Sequence, residues 1–312
     1  MNITVTAEHA GKTVLALTRQ TLGFSSAILK RLKFTEGGIL VNGEPVTVRR
    51  VLRQGDVLSL ATEDTASDVS PYITPTPLDL SVLYEDEWLT AVDKPPAMPA
   101  HPSFGHRGDT VANALAYRYA ARPYVFRPVN RLDRDTSGVM LTANTRLAAY
   151  RLDEAMLRGG IRKTYLAVAD GVPPSPAGVL DGFMHRAAAS IITREVCTPD
   201  APGAQRAVTE FEVLAEGGGR SLLRLRPLTG RTHQIRVQMA SVGCPLTGDD
   251  LYGRASSAIP RHALHAAAAV FPHPADGHEM TVAAPLPQDM RTLVAVSFGD
   301  GCLAELLSEI EE

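Results

Sequence analysis

Short apolar runs separated by polar turns dominate the pattern of this chain, and most of the runs are too short for long helices. Apolar or alternating runs lie at Leu89–Val92, Thr164–Ala169, Val208–Leu214 and Leu222–Leu225. Runs of this length rich in Val, Leu and Thr are typical of strands. The pattern therefore predicts a strand-rich body.

Apolar residues three to four positions apart predict helices in several other segments. The candidate N-caps are Ser25 or Ser26, Asp109, Asn144 or Thr145, and Thr232. A further acidic amphipathic helix is predicted for the tail from Cys302 to Ile310. We therefore expect an α+β fold, in which a central mixed or antiparallel sheet is flanked by helices.

The chain divides into four predicted segments. In residues 1–61 the strands Ile39–Val41 and Val46–Arg49 flank Asn42-Gly43, a strong hairpin signal, and Val57–Leu60 follows. Residues 62–80 contain three prolines and four acidic residues, which predicts an extended, mobile linker. Residues 81–300 would form the main domain, with the stretch from Pro173 to Arg206 rich in loops, and residues 301–312 an acidic tail.

Charge and composition narrow the functional classes. The net charge of −3 argues against a protein that coats nucleic acid everywhere, but residues 1–60 hold eight basic and four acidic residues. Three widely spaced cysteines form no metal-type pair, which fits a reduced cytoplasm. The chain has no apolar run of about 18 residues and no secretory signal pattern, so we expect a cytoplasmic protein without a membrane span.

The densest cluster of chemically active residues is Asn-Arg-Leu-Asp-Arg-Asp-Thr-Ser-Gly at positions 130–138. It lies between two apolar runs, Tyr124–Val129 and Val139–Leu141, which are predicted to be strands. Polar loops on a rigid scaffold often carry catalytic groups. From the spacing alone, a salt-bridged turn without catalytic chemistry is the favoured interpretation.

This cluster resembles the His-Arg-Leu-Asp-x-x-Thr-Ser-Gly signature of the RluA family of RNA pseudouridine synthases, with Asn130 at the histidine position. Lys163–Ala167 is similar to the family's Lys-x-Tyr-x-Ala motif, and Leu228–Val237 to its Leu-x-Thr-Gly-Arg-Thr-His-Gln-Ile-Arg block. Gly248–Gly253 and Leu264–Ala266 follow in family order. The resemblance implies the isomerisation of uridine to pseudouridine in ribosomal or transfer RNA, without a cofactor.

The resemblance also implies roles for individual residues. Asp133 would be the catalytic aspartate, Tyr165 would stack on the target base, and Arg231 would pair with Asp133 and keep it anionic. Asp135 falls at a variable position of the motif and is expected to be structural.

RNA contacts are expected from two groups of basic residues. The first, near the predicted site, is Arg131, Arg134 and Arg236; the second, in residues 1–61, is Lys30, Arg31, Lys33, Arg49 and Arg50. That N-terminal segment resembles the small RNA-binding domain of the alpha-L type, named after a ribosomal small-subunit protein. We expect a monomer whose partner is RNA.

No metal is expected. Several histidines lie in the C-terminal third, namely His233, His262, His265, His273 and His278, but no spacing pairs them on a helix face with a carboxylate.

Two alternatives remain open at this point. A non-catalytic RNA-binding protein would bind RNA regardless of Asp133. A glycoside or nucleoside hydrolase would release free uracil, but such enzymes usually need two facing carboxylates, and only Asp133 has support from a motif.

Overall fold

The N-terminal part builds a small antiparallel sheet around its own apolar core. The computed structural model describes residues 1–188, 190 and 192–311. The strands of this sheet are β1 (Asn2–Thr4), β2 (Ile39–Val41), β3 (Glu44–Pro45) and β4 (Val57–Leu60), in the order β1-β4-β2-β3. Its helices are α1 (Val14–Ala16), which continues as a π-helical turn over Leu17–Thr21, and α2 (Ser26–Phe34).

Local sequence signals explain these elements. The Ser25 side chain accepts a hydrogen bond from the Ile28 N–H and caps α2, as predicted. Asn42 and Gly43 have φ values of 54° and 84°, which is the conformation that a two-residue hairpin turn requires. The strand predicted for Val46–Arg49 is wrong, because after a last hydrogen bond from the Val46 N–H to the Ile39 carbonyl at 3.1 Å the chain turns at Val48 and Arg49.

A larger sheet forms the rest of the molecule. Its strands are β5 (Ser81–Glu85), β6 (Leu89–Lys94), β7 (Ser137–Ala143), β8 (Arg162–Asp170), β9 (Ala177–Arg186), β10 (Arg194–Cys197), β11 (Gln205–Gly217), β12 (Arg220–Pro227), β13 (Leu264–Pro272) and β14 (Glu279–Ala283). The order is β10-β9-β11-β12-β8-β13-β7-β6-β5, with β14 paired to β13. β13 runs parallel to β7 and the other pairs are antiparallel, so the predicted mixed, strand-rich fold is confirmed.

Helices cover this sheet. They are α3 (Val111–Arg118), α4 (Arg146–Leu157), α5 (Gln234–Ser241), α6 (Gln288–Phe298) and α7 (Asp300–Glu311), the last of which confirms the predicted tail helix. Thr145 caps α4, so of the two predicted caps, Asn144 and Thr145, the second is confirmed. The cap of α3 is Thr110 rather than Asp109, because Thr110 and Asn113 form a reciprocal capping box. None of the described helices is long and apolar enough to cross a bilayer.

β13 is the seam of the large sheet. It lies between β7, which belongs to a meander of β5, β6 and β7, and β8, which pairs on its other side with β12 of the set β9–β12. Gly138 makes the parallel contact possible, since a Cβ atom at this position would stand 2.1 Å from the Ala266 carbonyl oxygen. Its φ of 109° also favours glycine.

Two predicted features of this region are wrong. Tyr124–Val129 forms no strand, although Tyr124 and Phe126 are buried in the core; only Pro128 makes an isolated bridge, to Thr142. The stretch expected to be rich in loops after Pro173 contains β9 and β10. In the first case the segment joins β7 through hydrogen bonds from the Val129 N–H to Leu141 and from the Ala143 N–H to Arg127, without a continuous ladder. In the second case small and polar residues conceal extended backbone.

The segment between the two sheets is held by ion pairs. Asp64 accepts two hydrogen bonds from Arg127, and Asp68 accepts two from Arg31 of α2. Arg146 of α4 contacts both carboxylates, at 3.2 and 2.7 Å. The predicted boundaries of the four segments remain predictions, but these contacts fasten residues 64–68 to both folded parts.

Candidate active site

The 130–138 loop leads into β7 and is held by hydrogen bonds to buried histidine side chains. The Thr136 hydroxyl lies 2.8 Å from His262 Nε2, and the Ser137 hydroxyl lies 3.0 Å from His265 Nδ1. Burial lowers the pKa of His262 to about 3 and that of His265 to about 4. Both imidazoles are therefore neutral at neutral pH and serve as fixed hydrogen-bond partners of the loop.

A buried lysine holds the same loop through its backbone. Lys94 Nζ donates to the carbonyl oxygens of Pro95, Met98 and Arg134, each at 2.8 Å. Burial lowers the pKa of Lys94 to about 7. All three donor positions of the ammonium group are used on the backbone, so this side chain positions the loop.

Asp133 is the open carboxylate of this site. Its side chain is 27% exposed, while the groups around it are largely buried. Arg236 NH1 lies 3.5 Å from Oδ2, and His233 Nε2 lies 3.9 Å from the same oxygen. A partly open anion surrounded by buried donors is suited to contact a bound substrate.

Arg236 is held toward Asp133 by a second carboxylate. Arg236 Nε and NH2 donate to the two oxygens of Asp249 at 2.7 and 2.8 Å, which leaves NH1 directed to Asp133. Burial acts to lower the pKa of Arg236, but the hydrogen bonds and charge of Asp249 raise it above its ordinary value. Asp249 is itself fully buried and also accepts from the N–H groups of Leu251 and Tyr252.

The structure corrects the predicted arginine partner of Asp133. Arg231 is exposed, and its Nε donates to the Arg206 carbonyl oxygen at 3.1 Å. α5 begins at Gln234, not after a Thr232 cap, and His233 precedes it with a φ of 59°. Arg231 consequently lies outside the helix, whereas Arg236 lies on its buried face and reaches the carboxylate.

Tyr165 lies in β8 next to this carboxylate. The side chain is buried in the main core cluster, with 8% exposure for the residue. Burial raises the pKa of Tyr165 far above its usual range, and the charge of Asp133 raises it further. The phenol therefore stays protonated at neutral pH and can offer an aromatic face and an O–H donor.

His233 joins Asp133 to a short hydrogen-bond chain. The Arg194 N–H donates to the Tyr252 hydroxyl oxygen at 2.9 Å, and that hydroxyl lies 2.7 Å from His233 Nδ1. Burial lowers the pKa of His233 despite the opposing charge of Asp133. In the neutral ring Nδ1 accepts a hydrogen bond from the Tyr252 hydroxyl. The single ring hydrogen is then on Nε2, which faces Asp133.

The other motif residues have different positions. The Asn130 side-chain amide makes two hydrogen bonds to the backbone of β7. It accepts from the Leu141 N–H at 2.7 Å and donates to the Val139 carbonyl oxygen at 3.2 Å. Arg134 pairs with Asp135 at the surface at 2.9 Å, and Arg131 is exposed. Asn130 therefore supports the strand through contacts that occupy both ends of its amide.

The basic residues predicted to bind RNA in the N-terminal part are not equivalent. Lys30, Lys33, Arg49 and Arg50 are exposed. Arg31 is half-buried and its guanidinium is engaged by Asp68. Lys30, Lys33, Arg49 and Arg50 are therefore accessible to the RNA phosphates, whereas Arg31 would first have to leave Asp68.

Sequence reasoning missed three supporting residues of the site. Asp249 and Tyr252 were noted only within a motif, and His233 only among possible metal ligands. A usable signal is present for Arg236, because the apolar residues Met239 and Ala240 lie three and four positions later, on the same face of the helix. A charge at such a position is buried and needs a carboxylate partner.

Comparisons with known proteins agree with this architecture. Residues 89–241 match the family model for RNA pseudouridylate synthase. The uncharacterized RNA pseudouridine synthase YjbO of Bacillus subtilis is 40% identical over 275 residues, which cover 88% of this chain and 95% of that protein. The ribosomal large subunit pseudouridine synthase D of Escherichia coli O6:H1 is 38% identical over 242 residues, covering 72% and 73%.

Among solved structures, the human RNA pseudouridylate synthase domain containing 1 is similar, with a TM-score of 0.56 and 25% identity. The match covers 75% of this chain and 95% of that one. Identity above 30% over most of both bacterial relatives goes well beyond a shared fold. This chain belongs to the RluA family of RNA pseudouridine synthases.

Proposed function

We propose that this protein isomerises uridine to pseudouridine in structured RNA, and that Asp133 is the residue that acts on the target nucleotide. The observation that carries the proposal is the arrangement around Asp133, an accessible carboxylate among buried cationic and hydrogen-bonding groups. In the reaction the bond between N1 and the ribose breaks and a bond from C5 to the ribose forms. The proton leaves C5, and N1 gains one.

The site supplies what each step needs. Asp133 can bond to the ribose or neutralise the positive charge that develops there. Arg236 orients that carboxylate, because its NH1 lies 3.5 Å from Asp133 Oδ2 and its other nitrogens are fixed on Asp249. Tyr165 supports the detached base as a neutral phenol, since its raised pKa excludes a phenolate at neutral pH.

The RNA substrate is proposed from relatives and surface charge. We propose large-subunit ribosomal RNA as the first substrate to test, because the relative from Escherichia coli is named for that subunit. The exposed Lys30, Lys33, Arg49 and Arg50 would add contacts to the phosphate backbone. Arg131 and Arg134 would do so beside the site, and the reaction would take place in the cytoplasm.

The test is release of tritium from RNA labelled at C5 of uracil and taken from cells that lack this gene. Wild type should release tritium, and Asp133→Asn should be slower by at least about 10²-fold. Asp135→Asn is the matched control, because Asp135 is a neighbouring carboxylate whose partner is the surface residue Arg134. It should retain nearly full activity.

Three results would contradict the proposal. Equal release by Asp133→Asn and wild type would remove Asp133 from the reaction. Free uracil as the product would indicate a hydrolase. RNA binding by the wild type without tritium release, on RNA that a related synthase modifies in the same assay, would indicate a binding protein.

A further inference from the structure

The turn that joins β13 to β14 brings three potential metal ligands together. It has the sequence His-Pro-Ala-Asp-Gly-His at positions 273–278. One ligand atom each of His273, Asp276 and His278 lies within 4.8 Å of the other two. The turn follows the far end of β13 from Asp133, roughly 30 Å away along the strand, so it is separate from the candidate active site.

The buried member of the group, His273, is oriented by a second carboxylate. Its side chain is 5% exposed, and Nε2 lies 2.7 Å from Asp86 Oδ2. Asp86 is fixed in turn, because its Oδ1 accepts the N–H groups of Trp88 and Leu89 at 2.8 Å. A carboxylate that orients the far nitrogen of an imidazole is the usual second contact of a metal-binding histidine.

This contact leaves Nδ1 as the nitrogen of His273 that would coordinate an ion, in place of its present hydrogen bond from Ala275. The Asp86 carboxylate accepts the Nε2 hydrogen, so Nδ1 of the neutral ring is a lone-pair acceptor. Nδ1 receives one backbone hydrogen bond, from Ala275 at 3.2 Å, and faces Asp276 Oδ1 at 3.8 Å. His273 Nδ1 and Asp276 Oδ1 both carry lone pairs, and a cation between them would attract both atoms.

His278 completes the donor set from the solvent side. Its Nδ1 lies 2.6 Å from Asp276 Oδ1, and its ring stacks on that of His273 with centroids 4.9 Å apart. Ligands about 2.1 Å from a tetrahedral zinc ion lie about 3.4 Å from one another. Asp276 and His278 are 65% and 56% exposed, so adjustments of about 1 Å toward this spacing meet little resistance from packing.

We propose that His273, Asp276 and His278 bind a divalent transition-metal ion of the zinc class. Two imidazoles and one carboxylate are a suitable donor set for such an ion, and water would occupy the fourth position. Binding requires the His278 ring to carry its hydrogen on Nε2, so that the lone pair of Nδ1 is available to the ion in place of the contact with Asp276. The sequence lacks a pair of metal ligands spaced along a helix face, but these three ligands lie in a turn and do not need that spacing.

The site would stiffen a contact between the two folded parts. Arg151 of α4 donates to the carbonyl oxygens of Pro274 and Ala275 within the turn, at 2.5 and 2.9 Å. The same guanidinium donates to the Leu22 carbonyl of the N-terminal part at 2.9 Å. An ion that fixes the turn would therefore fix the acceptors that Arg151 uses to join the parts.

The test uses the full chain without an affinity tag, stripped of metal with a chelator. Zn²⁺ is titrated in competition with a chromophoric chelator, and Co²⁺ is titrated while its visible absorption is recorded. The wild type should bind one ion per chain, and Asp276→Asn and His278→Gln should each weaken binding at least tenfold. His185→Gln is the matched control, because His185 forms a pair with Glu195 at 3.0 Å elsewhere in the large sheet; its affinity should be unchanged.

Thermal melting separates loss of the site from loss of the fold. Zn²⁺ should raise the Tm of the wild type and leave the Tm of the Asp276→Asn/His278→Gln double variant unchanged. Failure of the wild type to bind one ion, or equal binding by the double variant, would overturn the proposal. The metal assay does not depend on the RNA reaction, so it can fail or succeed independently of tritium release.

Discussion

At the scale of single residues, the function of Asp133 depends on how Arg236 divides its hydrogen bonds. Two of its nitrogens are used on Asp249 and the third contacts Asp133. The planar guanidinium has donors in fixed directions and can serve both carboxylates at once. A lysine would carry the same charge without that geometry.

We therefore expect Arg236→Lys to lower the rate of tritium release by about 10²-fold while the protein still unfolds cooperatively. The control is Arg231→Lys, at an exposed position whose guanidinium contacts a carbonyl oxygen. That variant should remain close to wild type. If Arg231→Lys loses as much activity as Arg236→Lys, the assignment of Asp133's partner from this geometry is wrong.

The residue scale also shows the limits of reading a motif. The motif placed Asp133 and Tyr165 in one region, where the structure has them, and Asp133 raises the pKa of Tyr165. It could not distinguish Arg231 from Arg236, because the choice depends on where α5 begins. That start depends on the left-handed conformation of His233, which tertiary contacts with Tyr252 support and local sequence does not reveal.

At the scale of elements, the pairing of β7 with β13 supports the 130–138 loop, because the loop leads directly into the paired residues Ser137 and Gly138. Gly138 follows the loop directly, and a side chain there would collide with the Ala266 backbone. The positive φ adds strain for any residue with a Cβ atom. Such crowding and strain cannot be relieved by a rotamer change.

Gly138→Ala should lower the free energy of unfolding by at least about 2 kcal/mol, as measured by urea denaturation. Gly182→Ala in β9 is the control, since a Cβ atom there has no heavy atom within 4 Å. That change should stay within about 1 kcal/mol of wild type. Equal midpoints for the two variants would show that the close approach of β7 and β13 is unimportant for stability.

Element predictions succeeded where the signal is local. The caps at Ser25 and Thr145 follow from hydroxyl side chains before apolar periodic segments. Predictions failed for Tyr124–Val129, whose apolar side chains are buried without strand pairing. Burial and strand pairing leave the same apolar pattern in a sequence, and only the neighbouring strands decide between them.

At the scale of the whole molecule, Asp64 and Asp68 connect the two folded parts. Their carboxylates are 8% and 13% exposed and contact Arg31 on one side and Arg127 and Arg146 on the other. The sequence predicted a mobile linker, because proline and acidic residues usually keep a segment extended. It could not show that three arginines distant in sequence converge on this segment.

Replacement of both carboxylates, as Asp64→Asn/Asp68→Asn, should loosen the N-terminal part. Small-angle X-ray scattering should report a larger radius of gyration than for wild type, because the charge-assisted hydrogen bonds are lost. Asp79→Asn is the matched control, since Asp79 lies in the same segment and forms no ion pair within the described residues. An unchanged radius in the double variant would mean that apolar packing alone fixes the arrangement.

The position of β13 has a consequence for synthesis of the protein on the ribosome. A nascent chain that has emerged only to residue 263 can form the β5–β7 meander, which carries Asp133, and the sheet of strands β8–β12, which carries Tyr165. The strand that joins them is absent until residues 264–272 emerge. Contacts between residues far apart in sequence form late. The enzyme would therefore gain activity only after residues 264–272 have emerged, and a ribosome stalled before β13 would hold an inactive chain.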